Sequence, residues 1–160
     1  MSEAGVGEAV EPRSEQSPEK AGKRAVLATV PSDSHMWNMV YIELLLQEHG
    51  WDVINLGACT PPELTVETCL KEKPDMLVIT SVNGHGHIGG RKVIGQIRSH
   101  TELDYMPAVI GGKLGTLGAN NKVFADPLVS AGYSAVFLEN EGVEPFTEFI
   151  EAPKRGELVA

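Results

Sequence analysis

Five times along the chain a short β-rich run gives way to a helical pattern, and that alternation limits the possible folds more than any single residue does. The runs at 25–30, 51–56, 76–80, 108–110 and 135–138 are short and mostly apolar, as buried strands are. After the first, the apolar positions Val40, Ile42, Leu44, Leu45 and Leu46 predict a helix over about 37–49 that Gly50 ends. Thr60-Pro61-Pro62-Glu63 reads as a capping box, with Thr60 as N-cap, opening a helix that runs to about Lys73. A third helix is predicted over 91–99. A short fourth one is opened by Asp126-Pro127 and ended by Gly132, and a fifth spans Glu144–Glu151.

Parallel strands need crossover connections, and these are right-handed. The pattern therefore predicts an α/β fold, a five-stranded parallel sheet with helices on both faces, flavodoxin-like (Rossmann-like) with strand order 2-1-3-4-5. In that order the chain reverses direction between the first and third strands, and ligands bind at the carboxyl ends of the strands there. The segments 31–37, 81–90, 111–118 and 139–143 would meet at that edge, and the unusual residues fall in them. The turns expected at the opposite edge are plain.

At 160 residues the chain has room for one domain. Residues 1–24 hold no Leu, Ile, Phe, Tyr or Trp and cannot bury enough apolar surface to offset the entropy of ordering. A disordered tail is expected over 1–22, the folded domain over 23–151 and a C-terminal tail over 152–160. No apolar run has the length of a signal peptide or a membrane span, so a soluble, cytoplasmic protein with no membrane contact is expected. A net charge of −9, with 13 scattered Lys and Arg, argues against nucleic acid. Cys59 and Cys69 lack Cys-x-x-Cys spacing and read as small buried apolar side chains in a reducing compartment.

Asp33-Ser34-His35 sets an imidazole and a carboxylate together where the first strand ends. A histidine that binds metal usually donates its other N–H to a carboxylate or carbonyl, which fixes the tautomer and raises its basicity. This spacing can supply both halves, although the same triplet also serves as plain loop or helix cap. The run 81–90 is glycine-rich and carries Ser81, His85 and His87; it reads either as a site of close ligand approach or as a flexible turn with solvated histidines. The run 111–118 is similar, but it lacks the Gly-Lys-Ser/Thr ending of a phosphate loop. His85 and His87 have no Cys or second carboxylate beside them and are not read as a second metal site. His49 and His100 read as surface residues. Trp37 could stack on a flat ligand or cover the core, and the core is preferred.

These residues resemble the cobalamin-binding domain family, and within it the small subunit of glutamate mutase. The family pattern is Asp-x-His-x-x-Gly after the first strand, Ser-x-Leu or a close variant after the third, and Gly-Gly after the fourth. Asp33, His35, Ser81 with Val82, and Gly111-Gly112 stand in those places, and Gly84-His85-Gly86 is similar to the glutamate mutase version. The resemblance covers about 23–151. It implies that His35 coordinates the cobalt of cobalamin in place of the cofactor's dimethylbenzimidazole and that Asp33 hydrogen-bonds His35. That pair is this chain's share of the catalytic apparatus. It further implies a slot for the base and its nucleotide tail lined by Ser81, Val82, Gly112, Lys113, Leu114, Gly115 and Thr116. Ser32, Ser34, Met36, Thr80, Gly84 and Gly111 complete the cofactor-binding set. The chain departs from the pattern at Asn38, which replaces the last motif glycine and could narrow the slot or cap the helix. It departs also at Val82, at Asn83 in place of an aromatic, and at Glu139-Asn140-Glu141-Gly142.

Corrinoid carriers and cobalamin photosensors place a helical bundle before this domain, and the 24 polar residues here cannot build one. The resemblance therefore implies the small subunit of an adenosylcobalamin-dependent carbon-skeleton mutase, an isomerase. It would convert L-glutamate to 3-methylaspartate, or act on a related amino acid. It would work in a heterotetramer with a large substrate-binding barrel subunit. The alternatives are a corrinoid carrier or cobalamin-sensing module without mutase activity, and a flavin- or phosphate-binding module that uses a helix N-terminus.

Overall fold

A computed structural model describes residues 22–151. The tails expected at 1–22 and 152–160 lie, but for Gly22, outside them. Five strands alternate with five helices: β1 Lys23–Ala28, α1 Met36–Glu48, β2 Trp51–Asn55, α2 Pro62–Glu72, β3 Met76–Ser81, α3 Gly86–Arg98, β4 Ala108–Gly112, α4 Ala125–Ala131, β5 Ala135–Leu138 and α5 Glu144–Glu151. All neighbouring strands are parallel, in the order β2-β1-β3-β4-β5. This is the order expected from the sequence.

Alternate strand residues face opposite sides of a sheet, and here they build two cores. Val26, Ala28, Leu77, Ile79, Ala108 and Ile110 face α2, α3 and α4. Ala25, Leu27, Met76, Val78 and Val109 face α1 and α5, where Met39, Leu46, Phe146 and Ile150 cover them.

Several local expectations are corrected. β1 begins at Lys23 despite its polar start, because the Arg24 N–H donates to Asp75 Oδ2 at 2.8 Å and its guanidinium to Glu72 Oε1 at 2.9 Å. Thr60 is not an N-cap. Its buried hydroxyl donates to the Gly57 carbonyl at 2.7 Å and accepts the Thr29 N–H at 3.1 Å, tying the β2–α2 loop to the end of β1. Asp126 lies inside the first turn of α4, where a carboxylate suits the positive end of the helix. His49 is half-buried; its ring nitrogens lie 2.9 Å from the Leu45 carbonyl and 3.0 Å from Glu151 Oε2, which joins the ends of α1 and α5. Trp37, expected in the core, is 83% exposed on α1.

The largest correction concerns α3, which begins at Gly86, five residues before the expected start. Its first turns lie close against the sheet. A Cβ at Gly90 would overlap Ile110 Cδ1, and the Gly90 carbonyl accepts the buried Tyr133 hydroxyl at 2.7 Å. Gly86, Gly89 and Gly90 of the run that read as a ligand-approach loop are therefore packing positions of a helix, while Gly84 precedes it with φ +87°.

Replacing Gly90 by Ala should lower stability by about 1–3 kcal/mol, the usual cost of overpacking a core, measured as a shift in urea midpoint; an unchanged midpoint would mean that α3 can shift freely. Thiol chemistry gives a second check. Cys59 is exposed, whereas burial pushes the Cys69 thiol up to about 12. The native protein should titrate one thiol with an aromatic disulfide reagent near pH 8. The second should appear only on unfolding, and Cys59→Ser should abolish the native reaction.

Candidate functional site

The loop after β1 is organised around one carboxylate. Asp33 is 2% exposed although Ser32, Ser34 and His35 beside it are exposed. Its N–H donates to the Val30 carbonyl at 3.0 Å, and its own carbonyl accepts the Cys59 N–H at 2.7 Å. Oδ1 accepts the His35 backbone N–H at 2.9 Å and lies 2.6 Å from His35 Nδ1. Oδ2 accepts the Val82 N–H and the Ser81 hydroxyl, each at 2.8 Å. Burial alone would raise the Asp33 pKa, but these four hydrogen bonds together outweigh it and hold the carboxyl below its ordinary value.

An ionised carboxylate can only accept, so in the neutral imidazole the proton sits on Nδ1 and the Nε2 lone pair is presented outward. The His35 side chain is 56% exposed, and its backbone occupies the N-cap position of α1 without a side-chain capping bond. The result is a fixed ring with a free nitrogen at the carboxyl edge of the sheet, an arrangement suited to a metal ligand.

Asn83 braces this loop against the one after β3. Its Nδ2 donates to the Ser32 carbonyl at 3.1 Å and to Ser32 Oγ at 3.0 Å, while Oδ1 accepts the His85 N–H at 2.9 Å. Sequence reasoning marked Asn83 only as a departure from a pattern. Its short side chain beside glycine was the available signal, since Asn readily bonds to nearby backbone.

A cavity of about 280 Å³ opens beside these loops, between α1 and α5. Thr80 and Val82 of the β3 end, Gly111 and Gly112 of β4, Asn38 of α1 and Phe137 of β5 line it. β4 runs two residues further than expected, because Thr80 pairs with Gly111 and Ser81 with Gly112. Gly112 has φ +112°, and a Cβ there would overlap the Ser81 carbonyl oxygen, so the position admits only glycine. Asn38 is not a cap: its Nδ2 donates to Thr80 Oγ1 at 2.7 Å.

Of the slot expected from Ser81, Val82 and 112–116, Val82 and Gly112 line this cavity and 113–116 do not. Beyond Gly112 the chain turns onto the first turn of α3. The Gly84 N–H donates to the Lys113 carbonyl at 3.2 Å and the His87 N–H to the Leu114 carbonyl at 2.9 Å. The Leu114 side chain is wholly buried in the core, and the buried Asn121 amide holds the Gly115 carbonyl at 3.2 Å. Thr116 packs at Gly84, and Lys113 is exposed. Core packing therefore takes Gly84, Leu114 and Gly115 away from the cavity. Ser81 turns to Asp33 instead of the cavity, and Ser32, Ser34 and Met36 stand exposed around His35. The segment 139–143, expected at this edge, lines the cavity through Glu139, Gly142 and Val143, whereas Phe137 and Phe146 beside it were missed by the sequence reading. Three phenylalanines at 137, 146 and 149 were the signal, and Phe137 meets the other two edge-on.

His87 stacks on Phe124 with ring centroids 3.8 Å apart. Burial, and then the charges of His85 and Arg91, lower its pKa. Among the described residues no three His, Cys, Asp or Glu are grouped to hold a bare metal ion.

Comparison with known proteins agrees with this geometry. Residues 23–143 match the B12 binding domain. The chain is 27% identical over 96 residues to the glutamate mutase sigma subunit of Fusobacterium nucleatum, spanning 60% of this chain and 70% of that one. It is 35% identical over 66 residues to the HTH-type transcriptional repressor CarA of Myxococcus xanthus, spanning 41% of this chain but 23% of that protein. Among solved structures, a cobalamin-binding protein from Desulfitobacterium hafniense superimposes with a TM-score of 0.63 at 17% identity, covering 81% of this chain and 60% of the other. The last likeness shows the fold. From the match over 23–143, the chain belongs to the B12 binding domain family.

Proposed function

We propose that this chain binds adenosylcobalamin as the small, cofactor-holding subunit of a carbon-skeleton mutase of the glutamate mutase type. It would act in the cytoplasm, in a heterotetramer with a substrate-binding barrel subunit, on L-glutamate or a related amino acid. The observation that carries the reading is His35, with Nδ1 held at 2.6 Å by a buried carboxylate and its ring exposed beside a glycine-walled cavity. The sigma subunit of Fusobacterium nucleatum, aligned over 70% of its length, supports the mutase assignment.

The residues present fit the cofactor. A neutral imidazole nitrogen is a common metal ligand. The cavity of about 280 Å³ lies at the small end of ligand pockets, which hold roughly 300–1,000 Å³. It has room for a flat base and part of its tail, and is too small for a corrin ring. When bound, cobalamin supplies a cobalt–carbon bond that breaks homolytically to give the radical.

The chain's own residues bind and orient. His35 would hold the cobalt, and Asp33 fixes the proton on Nδ1 and would strengthen Nε2 as a ligand. Ser81 and the Val82 N–H keep Asp33 in place. Thr80, Val82, Gly111 and Gly112 line the tail cavity, and Ser32, Ser34 and Met36 surround the ligand. No Lys or Arg among the described residues lines the cavity, so a substrate with two carboxylates finds no counter-charge there. Substrate contacts belong to the partner. The 35% likeness to the Myxococcus repressor favours a second reading, a cobalamin-binding module without mutase activity.

His35→Ala should abolish the protein-nitrogen signature in the spin-resonance spectrum of reduced cobalt; an unaltered spectrum would sink the ligand assignment. Asp33→Asn should weaken cobalamin binding roughly 10- to 100-fold. The same carboxylate has a folded-state pKa below its unfolded value, so its stabilisation is complete above the ordinary carboxylate range and is lost as pH falls through the lowered value. Acid titration of stability should therefore be shallower in Asp33→Asn than in the parent. Subunit association should tighten when adenosylcobalamin is added, because binding both partners across one ring couples the two equilibria. Equal affinity with and without it would leave the second reading in its place, and turnover by this chain alone would overturn the two-subunit assignment.

A further inference from the structure

We propose that Asn38 is a specificity-determining residue, which through its hydrogen bond to Thr80 closes the cavity to groups that cannot part and then re-satisfy the pair. The inference rests on the reading that the nucleotide tail of the cofactor enters this cavity. The lining is otherwise largely hydrocarbon, with Ile42, Val78, Val109 and Phe137 around Asn38 and Thr80, and the exposed Glu139 is its remaining polar side chain. Asn38 lies three residues after His35 and is the first α1 residue of the lining, so a group entering from the His35 edge meets it before Ile42. Its Nδ2 reaches across from α1 to Thr80 Oγ1 on β3 at 2.7 Å. Thr80 is 4% exposed and Asn38 is half-buried, so little bulk water is at hand to replace the bond when it opens.

Separating the pair without a replacement leaves a buried hydroxyl and a carboxamide short of partners, which is costly. A nucleotide tail carries nitrogen and hydroxyl groups that can satisfy both. A hydrocarbon cannot. The clasp is therefore a barrier to entry that is repaid only by an occupant with hydrogen-bonding edges. Asn38 acts on entry and selection, while the cobalt bond belongs to His35.

The test is stopped-flow binding of cobalamin and of cobinamide, the same corrin without its nucleotide tail, to the full chain. Asn38→Ala and Thr80→Val each remove one half of the clasp, and Thr80→Ser keeps the hydroxyl. Asn38→Ala and Thr80→Val should each speed cobalamin association about 3- to 10-fold, the size of one neutral hydrogen bond. Cobinamide should associate with all variants at the parent rate, and Thr80→Ser should stay slow with both. Thermal unfolding confirms that each variant is folded. Unchanged or slower cobalamin association in folded Asn38→Ala or Thr80→Val overturns the clasp, as does equal acceleration with cobinamide. Failure of the wider reading looks different: the parent chain would then bind cobalamin without the His35-dependent spectrum, or not bind it.

Discussion

The Asp33 carboxylate is the interaction on which the rest of the site depends. A buried charge is tolerated only where its lone pairs are met. Here His35 and Ser81 side chains and two backbone N–H groups meet them. These partners come from the ends of β1 and β3, the adjacent strands between which the chain reverses direction. One ionised group thus locks two loops together, sets the imidazole tautomer and presents the free nitrogen. The Asp33 backbone adds a third loop through the Cys59 N–H. Removing the charge would loosen the imidazole and the platform beneath it at once.

The two faces of the sheet play unlike parts. On the side of α2, α3 and α4, glycine lets a helix settle against Ile110 and the core closes. On the other side α1 and α5 flank the ends of β3, β4 and β5, and Gly111 and Gly112 contribute no side chains to fill the gap between them. Space at the sheet edge follows from that difference. Phe137 and Phe146, packed edge-on with ring centroids 5.4 Å apart, form its far wall.

What was legible in the sequence was local or periodic. Alternating apolar runs fixed five β/α units and their order, since parallel strands leave few ways to connect them. Asp33 and His35 were legible because both halves of the pair lie within three residues and meet whatever surrounds them. The start of α3 was not legible. Glycines are poor helix formers, and only their contact with the sheet makes a helix of 86–90. Thr60 has the spacing of a cap, yet a hydrogen bond to Thr29, 31 residues away, claims its hydroxyl. Thr80, Val82, Gly111 and Gly112 of the expected set line the cavity, but 113–116 do not, for the same reason. Leu114 and Asn121 draw the glycine-rich run after β4 into the core, and the wall comes from α1, β5 and α5, which no local pattern connects.

The two tryptophans stand in opposite surroundings. Trp51 is buried, with its indole N–H donating to the Ile150 carbonyl at 3.2 Å, while Trp37 stands 83% exposed two residues after His35. An indole in water emits at longer wavelength than one in a core, so the chain carries two distinguishable fluorophores. Trp51 reports on the seating of α5, and Trp37 reports on whatever approaches the imidazole edge. A strongly absorbing ligand or an apolar protein surface arriving there alters the long-wavelength component and leaves the other as an internal standard.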